Sequence, residues 1–240
     1  MPGKPDATAL PPLPGSLHAV LFGLDGTLAD SLTSIAEALV ATLEHFGHHT
    51  TVAAVLPAFG SNMVETIERT APVDRTEAER IYADYLPRYY QHYMSGTQPL
   101  PGADALLAEL AWRGLPLGLV TSKIEAGARD LVGRLGWSDH FWGIVGRDSA
   151  PAMKPSPLPV RHALAALGIE VRRSAFVGDA DEDMAAAAAA GVPTVVGLAA
   201  LHTEAQLRAG GATHVCDDLR RTPAAVASAQ AAARVSSAAP

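Results

Sequence analysis

The carboxylates, hydroxyls and lysine that could do chemistry lie in four short stretches far apart in the chain. "VLFGLDGTLAD" (20–30) is an apolar run ending in an acidic turn that carries Asp25, Gly26 and Thr27. Taken alone, Asp-Gly after such a run reads as a tight turn. "VTSK" (120–123) sets Thr121 and Ser122 at the end of a second apolar run, where small hydroxyls commonly cap helices. In "MKPSP" (153–157) Lys154 precedes Pro155, and a lone lysine there reads as a solvated loop charge. "VGDADED" (177–183) puts Asp179, Asp181 and Asp183 where a helix starts, and acids there favour the helix dipole. The alternating acids also suggest a calcium loop, but Met184 stands where that loop needs Gly and no downstream Glu completes it. No one of the four carries a function by itself.

The elements that must position them form an alternating pattern. Strand-like runs are "HAVLFGL" (18–24), "LPLGLVTS" (115–122), "SAFVGD" (174–179), "PTVVGL" (193–198) and "THVCD" (213–217). Short apolar runs bounded by Gly, Asp and Ser suit parallel strands buried on both faces. Helical patterns lie between the later ones: "ADALLAELAWRG", "EAGARDLVGRLG", "PLPVRHALAALG" and "EDMAAAAAAG". This rhythm predicts an α/β fold, a Rossmann-like parallel sheet with right-handed crossovers. Residues 29–98 break it with helical patterns only, which predicts an all-helical cap inserted after the first strand, over the strand ends where such sheets bind ligands. Pro87 is expected to kink or split the last helix of that insert. The expected layout is a flexible leader (1–16), a core domain (17–28 and 99–228), the cap (29–98) and a flexible tail (229–240).

Composition narrows the classes. A chain of 240 residues with 48% hydrophobic and 18% charged residues can bury a sizeable core. A net charge of −7 argues against a nucleic-acid partner or an anionic membrane surface, so an anionic ligand needs local help from a metal, lysines or helix N-termini. One cysteine, Cys216, excludes an internal disulfide framework and suits a reducing, cytoplasmic location. No run of about 18 apolar residues suggests a membrane span.

In their order, the four stretches resemble the haloacid dehalogenase superfamily, in particular its phosphatases with a helical cap, the phosphoglycolate phosphatase and β-phosphoglucomutase branch. The hhhDxDGT motif stands here as "LFGLDGT", the strand-end Thr/Ser as Thr121 with Ser122 beside it, the lysine as Lys154, and the acidic GDxxxD as Gly178, Asp179 and Asp183. The resemblance implies a small phosphorylated metabolite as ligand, held by Thr121, Ser122 and Lys154. It implies Mg²⁺ held by Asp179, Asp183 and the Asp25 backbone carbonyl, with Asp25 as general acid and base. Thr27 either orients Asp25 or caps the turn.

One position departs from the motif. The residue two before Asp25, which in the family attacks phosphorus and binds the metal, is Gly23. Glycine offers neither nucleophile nor charge, so the expected protein is a phosphohydrolase scaffold impaired or inactive in turnover, with weakened magnesium affinity. The alternative is a non-catalytic pseudo-enzyme that binds a phosphorylated ligand or a protein partner. A dinucleotide-binding oxidoreductase is disfavoured because no GxGxxG follows a strand. Gly23 is expected to leave a small hole beside the phosphate site, and the scaffold to accept Asp there. The cap segment "FGSNMVET" (59–66) is the candidate for substrate recognition, and "HFGHH" (45–49) reads as a solvated helix end.

Overall fold

The computed structural model describes residues 17–60 and 62–226. The expected leader (1–16) and tail (229–240) therefore lie outside the described residues. Strand β1 (Ala19–Phe22) is followed by the two-residue strand β2 (Ala29–Asp30) and the helices α1 (Leu32–His45), α2 (Val52–Val55), α3 (Met63–Thr70) and α4 (Arg75–Arg88). Strand β3 (Gln98–Pro99) pairs with β2 as the chain returns. The alternating part then runs α5 (Ala103–Trp112), β4 (Leu117–Val120), α6 (Glu125–Arg134), β5 (Phe141–Val145), α7 (Leu158–Ala166), β6 (Ser174–Gly178), α8 (Asp181–Ala190), β7 (Thr194–Leu198), α9 (Glu204–Gly210) and β8 (His214–Cys216).

The chain divides into two compact units, Ala29–Gln98 and the sequence on either side of it. In the larger unit six strands form one parallel sheet in the order β5-β4-β1-β6-β7-β8. Counting only those strands along the chain, the order is 3-2-1-4-5-6, the doubly wound arrangement in which the direction of winding reverses beside the first strand. β1 and β6 flank that reversal, with Phe22 opposite Val177. Every residue of β1, β4, β6 and β7 is buried, as strands covered on both faces require. Leu21, Val120, Phe176, Val195, Leu164 and Met184 make the core between sheet and helices.

Strand β5 is absent from the five strand-like runs of the sequence. It lies at the sheet edge with Trp142 71% exposed, so its apolar residues are only partly covered, unlike those of the central strands. The alanine run of residues 184–191 is a helix, α8, closed by Gly191 at φ +93°.

In the smaller unit Ile35, Leu39 and Leu43 of α1, Ile67 of α3, and Ile81 and Tyr85 of α4 are buried. Thr51, Asn62 and Asp74 cap α2, α3 and α4 through their side chains. Pro87 does not split α4, which continues to Arg88; the next turn, Tyr89–Tyr93, widens to a π-helix. Tyr82, Tyr85 and Tyr89 stack along the helix at centroid distances of 6.1 and 5.8 Å, so aromatic packing carries it past the proline. His48 Nε2 lies 3.4 Å from Glu77 Oε1, and Gly47 turns the chain at φ +82°, so "HFGHH" is a helix end. Ser61, inside the segment 59–66, is outside the described residues. Among the described residues no helix is long and apolar enough to cross a membrane.

Candidate functional site

The first stretch leaves β1 at its C-terminal end. The Gly23 N–H donates to the Val177 carbonyl at 2.9 Å, which carries the β1–β6 pairing one residue past the strand. The chain then turns: the Leu28 and Thr27 N–H groups both donate to the Leu24 carbonyl, and Gly26 has φ +77°. Leu24 and Leu28 are buried and anchor the turn. Asp25 and Thr27 are thereby displayed at the end of the sheet where the winding reverses, the position at which doubly wound sheets bind ligands.

Thr121 ends β4 next door. Its N–H donates to the Val145 carbonyl at 3.0 Å, and its Oγ1 accepts from the Lys123 N–H at 3.1 Å. That bond is the local turn expected of a small hydroxyl, and it leaves the hydroxyl proton for a ligand. Ser122 is half-buried in the same bend. Lys154 reaches in from the loop after β5: its Nζ donates to the Val120 carbonyl at 3.3 Å and to Asp183 Oδ1 at 2.5 Å. With its side chain 8% exposed, it is not the solvated loop charge of the bland expectation.

The acidic pair comes from the end of β6 and the first turn of α8. Asp183 Oδ2 accepts from the backbone N–H groups of Asp179 and Ala180 at 3.3 and 3.4 Å. A Cβ on Gly178 would come within 2.6 Å of the Asp183 side chain, so glycine there lets this carboxylate lie against the strand. Burial, and then the charge of Asp183, push the Asp179 carboxyl up to about 7, against the opposing pull of the Thr27 hydroxyl and Lys154. Asp181, by contrast, is exposed.

Thr27 makes a bond that the sequence does not suggest. Its hydroxyl donates to Asp179 Oδ1 at 2.5 Å, fully buried. A Cβ built on Gly23 would lie 2.5 Å from Thr27 Oγ1 and 3.4 Å from Asp183 Oδ2. No hole remains beside Gly23: the threonine hydroxyl fills the space, and any larger residue at 23 must first turn it away from Asp179. The expectation of a freely accepting scaffold is corrected accordingly. The obstructing atom is a rotatable side-chain oxygen, so the obstacle is local.

Contacts thus link Thr27 to Asp179, Asp179 to Asp183, Asp183 to Lys154, and Lys154 to the β4 end that carries Thr121. Lys123, missed in the sequence, joins Asp25: its Nζ is 3.3 Å from Asp25 Oδ1, with the two side chains 5% and 17% exposed. The signal was present in "VTSK", whose lysine follows Thr121 by two residues, but attention to the hydroxyls hid it.

Asp179 and Asp183 supply hard oxygen donors of the kind Mg²⁺ takes. Burial first, and then the Asp183 charge, raise the Asp179 carboxyl, and a divalent ion beside it would favour its charged form. The donor set fits in kind, although among the described residues no three His, Cys, Asp or Glu side chains gather as a metal site.

A doubly wound parallel sheet with a helical insertion after β1 and an Asp–Thr–Lys–Asp constellation at the strand ends defines a class of hydrolases. The model of the haloacid dehalogenase-like hydrolase family matches residues 20–196, and the chain belongs to that family. It is 39% identical over 186 residues to the phosphoglycolate phosphatase of Neisseria meningitidis, covering 75% of this chain and 79% of that one. It is 35% identical over 226 residues to the plasmid phosphoglycolate phosphatase of Cupriavidus necator, covering 89% and 95%. Among solved structures it is similar to a haloacid dehalogenase-like hydrolase from Streptococcus pneumoniae, with TM-score 0.78, 24% identity and coverage of 87% and 98%.

Proposed function

We propose that this chain binds a small phosphorylated metabolite at the β1–β4–β6 strand ends and hydrolyses it slowly or not at all. The relatives named phosphoglycolate phosphatase make 2-phosphoglycolate the natural probe. The observation that carries the reading is Gly23, whose missing side chain is replaced in space by the Thr27 hydroxyl. A hydroxyl engaged with Asp179 is a poor substitute for a carboxylate aimed at phosphorus.

The remaining residues keep binding functions. The Thr121 hydroxyl and the Lys154 ammonium face phosphoryl oxygens, whose charge must be held in place for binding or transfer. Asp25 stands where it can donate a proton to a leaving alcohol or accept one from water. Asp179, Asp183 and the Asp25 carbonyl would hold Mg²⁺, which when bound neutralises charge on the phosphoryl oxygens. No carboxylate at position 23 is available to form the bond to phosphorus. Losing a nucleophile from a catalytic unit lowers turnover by about 10⁶-fold, and uncatalysed phosphomonoester hydrolysis is among the slowest reactions known.

Isothermal titration with inorganic phosphate and with 2-phosphoglycolate tests the binding function. Saturable binding that Lys154→Ala abolishes is expected; identical heats for the two proteins would contradict it. A second reading, a site used for a protein partner instead, has no supporting surface feature among these residues.

A further inference from the structure

Helix α6 begins without a cap of its own. Ile124, the residue before it, has no side chain that can accept from the first N–H groups, where helices favour a short polar residue. The acceptor comes instead from the loop after β5, 23 residues further along the chain: the Glu125 N–H donates to Asp148 Oδ1 at 2.7 Å. Further contacts join the loops that follow β4 and β5. The Arg147 N–H donates to the Lys123 carbonyl at 3.0 Å. The Ser149 hydroxyl donates to the Glu125 carboxylate, and its oxygen accepts from the Gly146 N–H at 3.1 Å. A Cβ on Gly146 would run into the Glu125 backbone, 2.6 Å from its Cα, so glycine there lets the two chains touch. The first of these loops opens with Thr121, and the second goes on to Lys154.

We propose that Asp148 is a positioning residue: by capping α6 from the neighbouring loop it fixes the spacing between Thr121 and Lys154, and with it the affinity for phosphate. The inference rests on the proposed placement of the phosphoryl group at those two side chains. Asp148 acts through the loops rather than on the ligand. Its bond to Glu125 is exposed, so removing the carboxylate leaves the N–H to water and the fold intact. The cap favours the joined loops by no more than a helix cap contributes, and a ligand that needs them joined can lose only that much affinity. Charge and position act in opposite senses at this residue. By charge alone, deleting a carboxylate from the neighbourhood of an anion site favours the anion. Releasing the loops disfavours it, so weaker binding after the deletion is the mark of position.

The test measures calorimetric Kd values for inorganic phosphate, together with urea midpoints, in the wild type, Asp148→Ala, Asp148→Asn and Asp74→Ala. Asp74 caps α4 in the smaller unit through the same kind of bond, its Oδ1 accepting from the Glu77 N–H at 2.8 Å, and serves as the control for lost stability. Asp148→Ala should weaken phosphate binding by about 5-fold, the scale of one lost cap. Asp148→Asn keeps an oxygen that accepts from the Glu125 N–H and should bind phosphate at least as tightly as the wild type. Asp74→Ala should lower the urea midpoint and leave the Kd unchanged. A wild-type Kd in Asp148→Ala, with only the midpoint lowered, would make the cap purely structural and overturn the inference while the phosphate site stands. Binding weakened equally in Asp148→Asn, or in Asp74→Ala, would also overturn it. Absence of phosphate binding by the wild type overturns the proposed function and this inference together.

Discussion

At the scale of single residues, the central event is an exchange between positions 23 and 27. Gly23 leaves no side chain, and the Thr27 hydroxyl uses the space to reach Asp179. If that is so, adding one methyl group at 23 must break a buried bond to a carboxylate. Gly23 does not need a positive φ, so Gly23→Ala brings no backbone strain of that kind. Its expected cost is about 1–3 kcal/mol, the range for losing a buried bond to a charged group. In a Thr27→Ala background the same substitution should be close to neutral. Urea denaturation of the four proteins in the cycle measures the coupling; equal losses in both backgrounds would show that the cost does not come from the Thr27–Asp179 bond. Asp179 gives a pH signature. Its folded-state carboxyl is raised to about 7 from an ordinary value of 3.8, so the folded protein holds a proton that the unfolded chain releases. This contribution to stability is full below about 4 and is lost as pH rises through about 7. In chelator, the urea midpoint should fall between pH 5 and pH 8, and Asp179→Asn should flatten that fall. A midpoint with the same pH dependence in both proteins would contradict the assignment.

At the scale of elements, Asp25, Thr121 and Asp179 follow the C-terminal ends of the buried strands β1, β4 and β6, and buried strands are what the sequence shows most clearly. "AVLF", "LGLV" and "SAFVG" are continuous apolar runs in a parallel sheet, so β1, β4 and β6 and the residues after them were legible. β5 was not, although "FWGIV" is apolar throughout: it is an edge strand with an open face, and its first three residues are not buried. The energetic counterpart is testable. Trp142→Ser, at a side chain 71% exposed, should change stability by less than about 0.5 kcal/mol. Phe176→Ala, fully buried in β6, should cost about 3–5 kcal/mol. Similar losses at the two positions, read from denaturation midpoints, would mean that β5 is covered in solution. Pro87 shows the opposite limit of sequence reading. The helix breaker is visible in the sequence, and so is the spacing of Tyr82, Tyr85 and Tyr89 along one helix face, but that the three rings stack is seen only in the structure.

At the scale of the whole molecule, the chain belongs to the haloacid dehalogenase-like hydrolase family, and under the proposed function its departure is the glycine at position 23. Three of the four stretches were legible because each combines a buried strand end with a fixed residue type, and Lys154 only through its order among them. The Thr27–Asp179 bond and the Lys123–Asp25 pair were not, because both join residues that only the sheet order brings together. The account predicts that the deficit lies chiefly at position 23. Gly23→Asp must turn Thr27 away from Asp179, a side-chain rotation, and in return supplies both an attacking oxygen and a further metal ligand. The most direct test is magnesium-dependent phosphate release from an aryl phosphate, measured for the wild type and Gly23→Asp side by side. The expected result is a wild type near background, a rise of several orders of magnitude in Gly23→Asp, and loss of most of that gain when Asp25→Asn is added. A wild type turning over at about 1 s⁻¹ or faster, or a folded Gly23→Asp with no gain, would contradict the account.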